Sequence, residues 1–126
     1  TPSTDAAVAA TRGEYLAYGG QPIIAMYSAE NSSPTRTNPN VPYLQAVDDP
    51  VSFGYTRLGH GYGMGQWGAQ RWAERHGWGY IAILRHYYTD VTLQVGAVLT
   101  DTAPPRVAIV RPWNDHYLTG NRLWLL

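Results

Sequence analysis

His60 is the side chain in this sequence best placed to do chemistry. It lies in the run Gly59-His60-Gly61-Tyr62-Gly63-Met64-Gly65, with four glycines in seven positions. So many glycines mean a backbone of unusual dihedrals, or one that another group approaches closely. Imidazole is suited to proton transfer near neutral pH, so His60 can serve a ligand there. It can equally hydrogen-bond a neighbouring loop and hold the glycine turn in shape. Gln66 follows directly and opens a predicted helix, where free backbone N–H groups can receive a carboxylate or a polar sugar group. A capping or core-network role for Gln66 is the alternative.

The carboxylates give a weaker pattern. Glu30 stands in a polar, proline-broken loop, which predicts a solvated side chain. Asp48 and Asp49 are adjacent, so in an extended chain they face opposite sides and form no catalytic pair. His60, His76 and His86 match no compact ligand spacing, and there is no cysteine. No metal or cofactor is expected.

The elements that must hold these residues are legible in outline. A short Ala-rich helix is expected over 5–10, capped by Thr4 or Asp5. Two β-prone runs, 14–18 and 23–28, flank Gly19-Gly20-Gln21-Pro22 and predict a hairpin. Residues 29–42, broken by Pro34, Pro39 and Pro42, predict a long loop, and 42–47 a short or edge strand. The spacing then predicts a helix over 66–76 with Ala69, Trp72, Ala73 and His76 on one face, capped by Gly77. A second helix follows over 80–88, with Tyr80, Leu84, Tyr87 and Tyr88 in one stripe and Ile81 beside it. The two make a helical hairpin.

From Val91 to Leu99 apolar residues alternate with others, an extended pattern. Pro104-Pro105 marks a boundary, and 106–110 and 123–126 predict strands. The fold class is therefore α+β, with a hairpin, a glycine-rich loop leading into a helical hairpin, and C-terminal strands. Residues 1–100 form one domain, and 101–126 a linker with the start of a β-rich, Ig-like segment.

Composition narrows the partners. Of 126 residues, 44% are hydrophobic and 14% charged, which favours folding over disorder. Formal net charge is zero, and all nine basic residues are Arg. No basic patch argues for nucleic acid. No run reaches the roughly 18 apolar residues of a membrane span. Ten Tyr and five Trp supply flat rings with polar tips, suited to sugars where exposed and to core packing otherwise. Tyr87, Tyr88, Trp67 and Trp72 can line a glycan groove, but at helical spacing core packing is the expectation.

Three segments in order carry a resemblance. Residues 10–20 read Ala-Thr-Arg-Gly-Glu-Tyr-Leu-Ala-Tyr-Gly-Gly, followed by Ala-Met-Tyr-Ser at 25–28. Residues 42–44 read Pro-Tyr-Leu, with Val47 and Asp49-Pro50 behind them. Residues 59–69 read Gly-His-Gly-Tyr-Gly-Met-Gly-Gln-Trp-Gly-Ala and lead to Ile-Leu-Arg-His-Tyr-Tyr at 83–88. The last block is the specific one. Together, over residues 6–93, they resemble the C-terminal portion of the SpoIID/LytB family (stage II sporulation protein D and amidase enhancer LytB).

That resemblance implies an exported, cell-wall domain directed at peptidoglycan glycan strands. SpoIID-like members are lytic transglycosylases that favour strands stripped of stem peptides, and LytB-like members enhance a wall amidase. One carboxylic acid protonates the glycosidic oxygen while the sugar's own hydroxyl closes an anhydro ring, in contrast to two-carboxylate hydrolases. The resemblance makes Tyr27, Ser28, His60, Tyr62 and Gln66 the expected substrate-binding residues.

This sequence departs from the family in four ways. It contains no Glu-Met-Pro segment, where the family's catalytic Glu sits. The family's His-Ser-x-x-Gly-Gly-x-Thr loop appears at 27–35 with both glycines replaced. Gly65 stands where Ser is usual, and the long insert before the glycine-rich block is missing. Glu30 is the one carboxylate in the altered loop that can be offered as a replacement acid. The expectation is a glycan-binding module, inactive by itself, of a lytic transglycosylase. The alternatives are a wall-associated scaffold that self-assembles or joins a neighbour through its C-terminal strands, and an amidase enhancer acting by protein contact.

Overall fold

Gly19 and Gly20 decide where the first hairpin turns. Both have positive φ, 57° and 80°, as a two-residue turn matching strand twist requires. They join β1 (Glu14–Tyr18) to β2 (Gln21–Pro22), in the register Tyr18↔Gln21 and Ala17↔Pro22. The ladder is far shorter than the expected 23–28 arm. Proline has no N–H to continue it, and after one more bond, Ile23 N–H to Leu16 O at 3.0 Å, the chain leaves the sheet. β1 is central. Its other edge pairs antiparallel with β5 (Thr92–Val95), Glu14 opposite Val95 and Ala17 opposite Thr92.

The computed structural model describes residues 2–96; the strands expected at 106–110 and 123–126, and the second segment at 101–126, lie outside the described residues. Within them the architecture is α+β, with three α-helices and two small sheets. α1 (Pro2–Ala10) starts earlier than expected and buries no residue; Thr4 and Asp5 lie inside it rather than at its cap. No helix among the described residues is long and apolar enough to cross a membrane.

The departing chain forms a second sheet. β3 (Tyr27–Ser28) pairs in parallel with β4 (Met64–Gly65), Tyr27 opposite Met64 and Ser28 opposite Gly65. Between them, residues 29–63 fold largely without ladders. Thr35 N–H donates to Val47 O at 2.9 Å, Val47 N–H to Thr35 Oγ1 at 2.8 Å and Ala46 N–H to Thr37 Oγ1 at 2.9 Å. Threonine hydroxyls thus take amides that a strand partner would take, so 42–47 is not the expected strand. Leu44 nevertheless anchors this segment, with none of its surface exposed.

β4 runs directly into α2 (Gln66–His76), and α3 (Tyr80–Tyr87) returns beside it. Gly77 closes α2 in the left-handed conformation, φ 66°, its N–H reaching Ala73 O, as expected for a glycine cap. Trp78 then stacks on Trp72, ring centres 3.9 Å apart and planes 11° off parallel.

The inward faces match the periodic reading in part: Ala69, Trp72, Leu84, Tyr87 and Tyr88 lie in or against the core, whereas Trp67, expected there too, is 48% exposed. α2 buries Gly68 and Trp72, while Ala73 and His76 are exposed. α3 buries Ile83 and Tyr87, while Tyr80 and Ile81 are exposed. The reason is polar. Tyr87 OH and the Asp49 carboxylate occupy the space over Gly68 where a side chain would stand, so α2 turns its glycine inward. Leu44, Val51, Trp72, Ile83, Tyr87, Tyr88 and Val91 form the core, each large side chain contributing about 1.5–3 kcal/mol of burial.

Candidate functional site

Parallel pairing of β3 with β4 brings the two halves of the predicted site together. Ser28 sits across from Gly65, one residue before Gln66, and is buried. Gly59, at φ 121°, passes so close to Ser28 that a Cβ on it would lie 2.7 Å from Ser28 Oγ. Ser28 Oγ accepts Gly61 N–H at 3.1 Å and stands 3.2 Å from His60 Nδ1.

That same Nδ1 accepts Tyr62 N–H at 2.9 Å. An amide N–H can only donate, so Nδ1 is the bare nitrogen, and the neutral ring carries its proton on Nε2. Tyr62 stacks on the imidazole at 5.2 Å between ring centres. The structure shows the bracing role of His60. Nδ1 braces the glycine turn, and Nε2–H has no partner among the described residues. Tyr27 is 61% exposed, and Gln66 and Trp67 are exposed on the first turn of α2.

As a nucleophile–base pair, Ser28 and His60 are poorly set. The Nδ1 lone pair already receives an amide, and Ser28 is 5% exposed. The cluster sets the His60 ring against one aromatic face, that of Tyr62.

Glu30 is not solvated. It is 3% exposed, and Arg71 Nη1 donates to its Oε2 at 2.8 Å. Its Oε1 accepts Ser32 N–H at 3.2 Å. The loop carries it inward because its backbone pairs with Leu58 in both directions, which sets the carboxylate under α2. Arg71 also covers the Tyr55 ring at 3.7 Å. With both oxygens engaged, Glu30 presents no acid to a substrate. Its partner is needed: Arg71→Gln should lower stability by about 2 kcal/mol, because a buried carboxylate is left without its cation. Chemical denaturation measures this, and an unchanged midpoint would rule it out.

Asp48 and Asp49 do face opposite ways. Asp48 is exposed and accepts Ser33 Oγ–H at 2.9 Å; Asp49 is fully buried. Asp49 Oδ1 accepts Trp72 Nε1–H at 2.8 Å, and Oδ2 accepts Tyr87 OH at 2.8 Å. His86 Nε2 lies 3.7 Å from Oδ1, too far for a hydrogen bond and close enough to act on the charge.

Burial by itself raises the Asp49 pKa. The pull of His86, Tyr87, Ser52 and Trp72 outweighs burial and holds the carboxyl below its ordinary value. Tyr87 is pushed up, first by burial and then by the Asp49 charge, and stays a neutral donor. Asp49 is thus the polar centre of the core. Its signal in the sequence was indirect: buried indoles and phenols need acceptors, and few carboxylates stand within reach of helices rich in Trp and Tyr.

The arginines were also missed. Arg57 Nε donates to Asn31 O at 2.8 Å and Nη2 to Pro34 O at 2.9 Å, and Arg36 pairs its backbone with Gly61 O. Among the described residues no group of three or more His, Cys, Asp or Glu is arranged to hold a metal ion. No protein-family model matches the chain, and no curated protein matches it.

Proposed function

We propose that this chain is a glycan-binding module of the bacterial cell wall, related to SpoIID/LytB domains, which holds peptidoglycan strands without cleaving them. The observation that carries the reading is the His60 arrangement. Nδ1 is tied to Tyr62 N–H, so Nε2–H is a fixed donor, beside the half-buried Tyr62 ring stacked on the imidazole; Tyr27 is exposed on strand β3 next to Ser28.

Sugar rings offer what such a surface takes: hydroxyl and acetamido oxygens for the donor, and an apolar face for the aromatic rings. Gln66, exposed at the start of α2, adds a side-chain amide that both donates and accepts. The two acids that the fold turns inward support binding over cleavage. Glu30 has both oxygens occupied, and Asp49 is sealed in the core. General acid catalysis needs a carboxyl within hydrogen-bond reach of the leaving oxygen. The wall location and the exported state rest on the motif resemblance.

The test is direct. Purified protein should retain denuded glycan strands in a pull-down and release no anhydro-muramyl products. His60→Ala should weaken the binding about tenfold, the effect of one lost hydrogen-bond donor with its positioning. Wild-type protein that leaves glycan in the supernatant would end the reading. Anhydro-muramyl products would show that the acids have been misjudged.

A further inference from the structure

Two arginines meet over Gly61 with nothing of opposite charge beside them. A Cβ placed on Gly61 would lie 2.7 Å from Arg57 Nε and 3.1 Å from Arg36 Cδ, so both side chains cross the same small area next to His60. Among the described residues neither has a carboxylate within ion-pair distance; the two ion pairs there are Arg71 with Glu30 and His86 with Asp49. In a chain of zero formal net charge, a local excess of two cations is a feature of placement rather than of composition.

Arg57 is also held in position. Its Nε–H and one Nη2–H run to the carbonyls of Asn31 and Pro34. These bonds occupy one edge of the planar guanidinium and fix its plane. The remaining edge, formed by Nη1 and the second Nη2 hydrogen, is left with two parallel donors. That fork matches the two oxygens of a carboxylate, and anchoring the plane beforehand reduces the ordering cost of binding. Arg36 is exposed and tied through its backbone to Gly61 O and Tyr62. It supplies a second, movable cation at the same place.

We infer that Arg36 and Arg57 form a carboxylate subsite, which binds an acidic group carried on a sugar of the glycan held at His60. The inference rests on the glycan-binding reading for its choice of carrier, and on the arginine geometry for its choice of charge. Gly61 links the two. Its N–H serves Ser28 and its carbonyl serves Arg36, so sugar and carboxylate would be read from one loop.

The experiment is an NMR titration of the whole chain, following the Arg57 Nε–H and Tyr62 amide signals. The probes are N-acetylmuramic acid, glucuronic acid, the methyl ester of each, and the neutral oligosaccharide chitotetraose. At least one acid should bind about tenfold more tightly than its ester, the scale of one charge-assisted contact. Arg57→Gln should abolish that preference. Arg36→Gln, at an exposed position where folding is not at risk, should reduce it several-fold.

Equal affinity for acid and ester, or full preference retained in Arg36→Gln and Arg57→Gln alike, would overturn the subsite. The two proposals fail separately. Chitotetraose binding with no acid preference removes the carboxylate site and keeps the glycan reading. Arginine-dependent binding of an acid without binding of chitotetraose or glycan strands keeps the site and removes the glycan reading.

Discussion

Asp49→Ala should be the most damaging single substitution in the core, lowering stability by about 3–5 kcal/mol. The carboxylate is fully buried and accepts both Trp72 Nε1–H and Tyr87 OH at 2.8 Å. Truncation leaves two buried donors without acceptors and a void between α2, α3 and the turn at Pro50–Ser52. A loss of that size is a large part of the roughly 5–15 kcal/mol that small domains possess. Thermal denaturation should show a midpoint lower by about 15 °C. Asp49→Asn should fall between wild type and Asp49→Ala: it keeps one acceptor but turns an amide donor toward groups that already donate. If Asp49→Ala melts within a few degrees of wild type, Asp49 is not the centre of the core.

The same carboxylate sets the direction of pH dependence. Its folded pKa lies below the ordinary aspartate value, so the folded state binds its proton less readily than the unfolded chain does. The stabilisation is present in full above the unfolded aspartate range and is lost as pH falls through the folded pKa. The acid limb of a stability profile should therefore flatten in Asp49→Asn. An identical acid limb in the two proteins would assign the loss to other carboxylates.

What could be foreseen from the sequence, and what could not, divides along a physical line. The limits of α2, its glycine cap and the turn at Gly19-Gly20 depend on local backbone preference, and local sequence carries that information. The helix faces do not. Apolar spacing put Ala73 and His76 inward on α2, but the inward position belongs to Gly68, because Tyr87 and Asp49 need the volume.

Glu30 failed as a forecast for a related reason. A polar loop with prolines predicts exposure, yet its backbone pairs with Leu58, and Arg71, forty-one residues further on, completes the ion pair. Ser28 and His60 could be named as candidates from motifs. Their contact comes from a two-residue parallel pairing between segments far apart in the chain, which no local pattern encodes.

That contact gives the second large effect. Gly59→Ala should cost about 2–4 kcal/mol and disable the site together with it. At φ 121° an L-residue is strained in any surroundings. Here the added methyl would also lie 2.7 Å from Ser28 Oγ and 2.8 Å from Ser28 Cβ. A hydroxyl can rotate away, but Cβ moves only if the backbone of β3 moves. Ser28 would then release Gly61 N–H, and the ring of His60 would lose one of its two neighbours at Nδ1, keeping Tyr62 N–H.

Gly54→Ala is the comparison at a second positive-φ glycine. Its φ is 82° and nothing lies within 4 Å of the new Cβ, so it carries backbone strain alone, about 1 kcal/mol. The difference between the two melting curves reports the contact with Ser28 together with the greater backbone strain at φ 121°. Imidazole nitrogen shifts supply the second readout: Tyr62 N–H still donates to Nδ1 in wild type and both variants, so the tautomer should be kept, while in Gly59→Ala the Nδ1 shift should move as Ser28 leaves and retention on glycan should weaken. Equal stability and equal glycan binding in Gly59→Ala and Gly54→Ala would mean that the Ser28–His60 contact does not organise the site.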